Sequence, residues 1–371
     1  MVSGERIRQA RELRQLTQQE LANRVDVSQT TIALIERGQF IPNNILLDRL
    51  ALNLAFPVSF LRKKPAQDFP LGSLLYRSHS TVKSTERNLA HRYAQIAFEL
   101  SAQLANRIKL GANKLPRVSE SPKLAAQLAR SSMGLSPDTP IPHVIRACER
   151  AGVLIVSIPV QVEKLEAFSL WAGKTLTRPV IAVSSGRPGD RVRLSVAHEL
   201  GHLVMHETLT SSLQEAEREA YQFAGEFLVP EEPFRQELGG QITLASLVPL
   251  KKRWGVSLQA LAMRAKEIGV VSDRQCRYLF EQMSQKGWRK KEPAGLEIPA
   301  EKPRALRQMA ELLYGEPLEI SRMAADFNVT REFLLNLLEP YDRPESSKVR
   351  DRSSVMGQVL DFALDQSSRA E

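Results

Sequence analysis

Apolar residues return at helical spacing along most of the chain, and that rhythm breaks once, for a short β-like interval. Over residues 5–36, Ile7, Ala10, Leu13 and Leu16 form one apolar stripe. Thr17 stands where an N-cap is needed and Glu20, three residues on, completes a capping box before Leu21, Ala22 and Val25. Asp26-Val27-Ser28 predicts a turn, Ser28 a cap for a third helix from Gln29 to Arg37, and Gly38 its stop. Arg62-Lys63-Lys64-Pro65 and Phe69-Pro70-Leu71-Gly72 interrupt the pattern as a linker. From Ser84 to Leu110, Leu89, Tyr93, Ile96, Ala97, Leu100, Leu104 and Ile108 predict a long helix with a packing or dimerisation stripe and a solvated opposite face. Helices are expected at Lys123–Met133 and Ile141–Arg150. The period then shortens to that of strands at 153–158, 167–171 and 179–183. It lengthens again for a helix from Asp190 to His206 and for helix pairs around Gly255 and within 301–338, the latter read as a helical cap. The tail from Ser346 is polar, with one short helix possible at Val355–Leu364.

A chain of 371 residues can bury more than one core. The expected architecture is multidomain and mainly α with a small β-sheet: an N-terminal helix-turn-helix bundle at 1–61, a linker and long helix at 62–129, an α+β domain at 130–270, a helical region at 271–345 and a tail at 346–371. No apolar run reaches the roughly eighteen residues of a membrane span. The opening Met1-Val2-Ser3-Gly4-Glu5-Arg6 lacks the apolar core of a signal peptide, so a cytoplasmic location without membrane attachment is expected. Cys148 and Cys276 are too far apart in sequence for a thiolate cluster, so any metal must use His and carboxylates. The net charge of +9 suits a polyanion without identifying one. Residues 1–60 hold seven Lys+Arg against six Asp+Glu, so DNA binding must rest on a motif.

Two short helices joined by a tight turn, the second offering Gln29, Thr30 and Thr31 at its start, can place hydrogen-bonding side chains against base edges. Thr17-Gln18-Gln19-Glu20-Leu21-Ala22 and Val27-Ser28-Gln29-Thr30-Thr31-Ile32-Ala33-Leu34-Ile35-Glu36-Arg37-Gly38 resemble the XRE/Cro family of DNA-binding regulators. The resemblance covers about residues 4–61. It implies that Gln18 and Gln29 to Thr31 face a double-stranded DNA operator, that residues 45–61 supply closing helices, and that a homodimer reads two half-sites.

On the Asp190–His206 helix, His198 and His202 share one face with Glu199 beside them, the H-E-x-x-H arrangement of a zinc peptidase. Glu199 is then the general base. His206 is poorly placed to share an ion with His198, the two being about 12 Å apart along the axis, and reads as a supporting residue. A third ligand is sought in the next helix, whose inward face is Ala220, Phe223, Ala224 and Phe227. At 100° per residue Glu217 falls nearest that face, with Glu219 the alternative. His79, His91 and His143 read as surface, core or capping residues.

His198-Glu199-Leu200-Gly201-His202-Leu203-Val204-Met205-His206, the strands at 167–169 and 179–181, and the segments 217–224 and 226–230 resemble the ImmA/IrrE family of zinc metallopeptidases, gluzincin-like in layout, over about 130–270. The resemblance implies Zn2+ and cleavage of a repressor-type protein under stress. Tyr221 departs from the Asn or Asp common in the family at that position. The overall expectation is a DNA-binding regulator whose peptidase domain cleaves a repressor or itself. The alternatives are a non-proteolytic sensor of a metal or small molecule, and an antitoxin-like regulator.

Overall fold

The computed structural model describes residues 2–65, 69–70, 83–108, 113–158, 165–173, 177–206 and 212–338. His79, residues 66–68 and 71–82 of the expected linker, the last two residues of the expected long helix, the end of the expected helical region and the tail lie outside the described residues. Five helices come first: α1 (Gly4–Leu13), α2 (Gln18–Arg24), α3 (Gln29–Glu36), α4 (Asn44–Leu54) and α5 (Val58–Arg62). The long helix is α6 (Ser84–Ile108), followed by α7 (Pro122–Ser132) and α8 (Val144–Arg150). Three strands, β1 (Leu154–Ile158), β2 (Ala167–Ala172) and β3 (Arg178–Ser184), precede α9 (Gly189–Met205) and α10 (Leu213–Leu228). Then come α11 (Glu231–Glu237), α12 (Leu244–Trp254), α13 (Leu258–Glu267), α14 (Asp273–Gln285), α15 (Ala305–Tyr314), α16 (Ile320–Phe327) and α17 (Arg331–Leu337). The protein is mainly α with one small sheet. Among the described residues no helix is long and apolar enough to cross a membrane.

Local chemistry explains the boundaries. Thr17 and Glu20 form the reciprocal capping box at α2, and the Ser28 hydroxyl accepts the Thr31 amide at α3. Helix α8 begins three residues later than its apolar pattern predicts, because Ile141 precedes Pro142 and His143 is extended.

The sheet has the order β1-β3-β2, with β1 parallel and β2 antiparallel to β3. Its two-residue alternation divides cleanly between two helices. Phe168, Leu170, Val180 and Ala182 join Ala90, Ala94 and Phe98 of α6 in one apolar layer. Ala167, Trp171, Ile181 and Val183 face the core built on α9. Helix α7, which the sequence reading assigns to the connecting segment, packs Ala125, Ala126 and Ala129 into that same core, together with α8, α10, α12, α13 and α14.

The sheet-facing Ala90, Ala94 and Phe98 occupy the side of the long helix expected to be solvated, and the stripe expected to pack is a separate one. Tyr93, Ile96, Ala97, Leu100 and Leu104 share one core with Ile7, Leu21, Ile32, Leu50 and Phe60 of the N-terminal bundle and with Met309, Phe327 and Leu334 of α15–α17. Phe333 of α17 packs against both Phe56 and Tyr93. The stripe read as packing or dimerisation is thus filled from the same chain, by the helix-turn-helix bundle and the C-terminal cap.

Buried polar groups fasten this junction. Arg6, 1 % exposed, donates to Glu99 at 2.5 Å, to Gln9 and to the carbonyls of Lys63 and Lys64. Gln9 donates to Gln95, and Arg92 pairs with Glu12 at 2.6 Å. Gly4 permits the tight entry of α1, since a Cβ there would lie 2.1 Å from the Ile35 carbonyl oxygen. Removing one partner of a buried pair leaves the other charge uncompensated. Glu99→Ala is therefore expected to destabilise the protein by about 3–5 kcal/mol in denaturant unfolding, with a smaller loss for Glu99→Gln.

Candidate metal centre and nucleic-acid interface

Helix α9 is held at both ends. Near its start the buried Lys251 ammonium lies 2.6 Å from Asp190 and 2.9 Å from Glu292, and Arg193 donates to Glu301 at 2.5 Å and to the Ile141 carbonyl. At its other end, carbonyls with no partner inside the helix are taken up by the Trp171 indole, on Leu203, and by the Val118 amide, on Val204. This fixes the turns that carry His198, Glu199 and His202.

Helix α10 crosses closely because Gly201 has no side chain: a Cβ there would meet Phe223 Cδ1 at 3.0 Å. The crossing brings Glu217 to the two histidines. His198 Nε2 and His202 Nε2 are 3.1 Å apart, and each lies 3.4 Å from a Glu217 oxygen. A four-coordinate ion with bonds of about 2.0–2.1 Å separates its ligands by about 3.3 Å, so this triangle has the size of one face of such a site. Glu217 Oε1 is buried and has no hydrogen-bond partner among the described residues, as suits an oxygen facing a cation. Burial alone would raise the Glu217 pKa, but the adjoining imidazoles outweigh it and hold the carboxyl well below the usual carboxylate range. His198, His202 and Glu217 are thus a cluster able to hold a metal ion.

Glu199 is fully buried and accepts a hydrogen bond from Ser169 Oγ at 2.8 Å. Ser169 sits on β2, on the face that Ala167 and Trp171 turn toward α9. The strand pattern includes Ser169 but assigns it no role; a polar residue inside an otherwise apolar strand is the signal that marks it. Glu219 points to His206, with its Oε2 3.0 Å from His206 Nε2, and His206 Nδ1 is 3.0 Å from His202 Nδ1. Burial, against the pull of Glu219, pushes the His206 imidazole below its ordinary pKa. Tyr221, 56 % exposed, lays its ring 4.3 Å from that of His198, whose Nδ1 is buried with no hydrogen-bond partner among the described residues. His91 is buried, with Nε2 on the Pro70 carbonyl, and His143 precedes α8 without a side-chain cap bond.

In the N-terminal bundle the structure joins Gln18 to Gln29, eleven residues apart. Gln29 Nε2 donates to Gln18 Oε1 at 2.7 Å, and Gln18 Nε2 donates to Glu36, itself held by two bonds from Arg11. Thr30 is exposed at the start of α3. The Thr31 hydroxyl is 2.9 Å from that of Ser28. The two glutamine side chains are therefore held in one arrangement by the bundle itself.

These features define a regulator that joins a DNA reader to a peptidase-like domain. Residues 7–61 match the helix-turn-helix family model, and residues 148–266 match the M78 peptidase model described as the IrrE N-terminal-like domain. The chain is a fusion of an XRE-type helix-turn-helix with an IrrE/ImmA-like domain. No curated protein matches it.

A side chain at position 201 would force Phe223 and α10 away from α9. Gly201→Val is expected to cost about 1–3 kcal/mol through overpacking and to weaken metal uptake in a chelator-competition titration.

Proposed function

We propose that this protein is a DNA-binding regulator whose IrrE-like domain is a zinc-dependent endopeptidase acting on a repressor-type protein, or on the chain itself, to switch gene expression under stress. The observation that carries the reading is the donor triangle of His198, His202 and Glu217, with Glu199 on the same helix as both histidines. Two imidazoles and a carboxylate suit zinc, and three protein ligands leave a fourth position for substrate or water, as in catalytic rather than structural sites. When bound, zinc supplies Lewis acidity, polarising the scissile carbonyl and making water a better acid. Glu199 takes the proton of the attacking water and hands it to the leaving amine. Ser169, donating to Glu199 Oε2, holds that carboxylate in one orientation.

On the DNA side, Gln18, Gln29, Thr30 and Thr31 read the operator, and a homodimer matches a two-half-site sequence. The second reading is a metal sensor without turnover. It is favoured by the full burial of Glu199, which leaves its carboxylate no surface open to solvent.

Two experiments separate these readings. Wild-type protein and Glu199→Gln are incubated with candidate XRE-type repressors in the presence of zinc. Cleavage by wild type, with a rate lower by about 10²–10⁴ in the variant, is expected if Glu199 is the general base. Equal cleavage by both forms, or none by wild type, removes the peptidase reading. Separately, selection from random duplexes is expected to yield an operator that the Gln29→Ala, Thr30→Ala double variant no longer distinguishes, each lost base contact being worth about 1–3 kcal/mol.

A further inference from the structure

The helix pair α16–α17, which the apolar pattern marks as a cap, repeats the geometry of α2–α3 residue for residue. Asp26 and Asn328 both turn the chain through the left-handed region, with φ of 57° and 58°. The next amide bonds the alanine carbonyl of the preceding helix in each, Val27 to Ala22 and Val329 to Ala324, both at 3.1 Å. One residue further on stands the cap. The Ser28 hydroxyl accepts the Thr31 amide at 3.1 Å, and the Thr330 hydroxyl accepts the Phe333 amide at 3.2 Å. Buried positions coincide as well: Leu21 with Met323, Val25 with Phe327 and Ile32 with Leu334. The helices that precede the two pairs, α1 and α15, are each ten residues long and both pack on α6. Agreement in the turn, the cap, the backbone bond and the core makes α15–α17 a second helix-turn-helix unit.

The same correspondence locates its reading face. Gln29 and Thr30 fall on Arg331 and Glu332, and Leu34 falls on Asn336. Arg331, Glu332 and Asn336 are all exposed. Phe333 is buried against Phe56 and Tyr93, which fixes the rotation of α17 and turns the other three outward. Each of the three is a side chain that distinguishes a base in the major groove. Arginine pairs with guanine O6 and N7, glutamate accepts from cytosine N4, and asparagine pairs with adenine N6 and N7. Leu335, 47 % exposed between them, suits a thymine methyl. On α16, the helix that crosses the backbone in such units, Arg322 is 64 % exposed and lies 3.5 Å from Glu319. One acid and one base on α17 nearly cancel, so this face suits base edges better than bare phosphates.

We propose that α15–α17 is a second DNA reader, in which Arg331, Glu332 and Asn336 contact base edges in the major groove of double-stranded DNA. Each chain then carries two reading helices, α3 and α17, on units that share one core around α6. The inference is independent of the metal centre, and it extends the DNA-binding reading beyond Gln18 and Gln29 to Thr31. A chain with two readers specifies more base pairs than its N-terminal bundle covers alone.

The test is selection from random duplexes with the full chain, in wild-type and variant form. Wild type is expected to enrich two blocks of preferred bases. Arg331→Ala with Asn336→Ala is expected to erase one block and to weaken binding of the wild-type selected duplex about tenfold or more. Gln29→Ala with Thr30→Ala is expected to erase the other. Glu332→Gln is expected to exchange a preferred cytosine for adenine at one position of the block lost with Arg331 and Asn336, since glutamine pairs with adenine N6 and N7. All three α17 residues are exposed, so thermal unfolding of these variants is expected to match wild type. Unchanged preference and affinity in the Arg331, Asn336 variant overturns the second reader and leaves the first. Affinity that falls equally on every duplex, with no preferred base lost, also overturns it, because that marks a phosphate contact only. A wild-type chain that prefers no duplex overturns both readers. Bases lost with Arg331 and Asn336 but none with Gln29 and Thr30 support the second reader and remove the first.

Discussion

The close crossing of α9 and α10 is the constraint on which the rest depends. Both histidines sit on one helix and the carboxylate on the other, so no shared site exists unless the two backbones approach closely. Gly201 against Phe223 allows that approach, and Ala220 and Ala224 keep the facing side of α10 small and buried. Anchors at both ends of α9 resist slippage. Lys251 and Arg193 fix its start to Glu292 and Glu301, while Trp171 and Val118 take up its last carbonyls. A donor triangle with edges of 3.1, 3.4 and 3.4 Å is the geometric result.

The second organising feature is α6, which is covered on two sides. One stripe closes the sheet that backs α9, and the other joins the helix-turn-helix bundle and the C-terminal helices in a single core. The buried Arg6–Glu99 pair and the Gln9–Gln95 bond add directional contacts to that apolar seam. The helix-turn-helix bundle is therefore packed, through α1, on the helix that closes the sheet backing the candidate metal centre.

Much of this is legible in the sequence, for identifiable reasons. Caps and stops such as Thr17, Ser28 and Gly38 are local chemistry, so the bundle's helices fall where the pattern puts them. The helical projection places Glu217 toward the histidines and turns Glu219 aside, because a rigid helix preserves angles. What stays hidden is pairing between distant segments. Nothing local announces that the second side of α6 meets a sheet, that α17 reaches Phe56, or that Gln29 bonds Gln18. The hydrogen bond from Ser169 to Glu199 and the contact of Glu219 with His206 are likewise products of tertiary approach. Each is compatible with its sequence context but not dictated by it.

A metal site at this crossing unites the fold, the family matches and the chemistry of the side chains, so its composition is the most direct test of the account. Zinc stoichiometry and X-ray absorption on the purified full chain read it without reference to any substrate. The account predicts one zinc per chain, coordinated by two imidazole nitrogens and by oxygen at bond lengths of about 2.0–2.1 Å. A chain that holds no zinc, or zinc with sulfur in its coordination sphere, would contradict it.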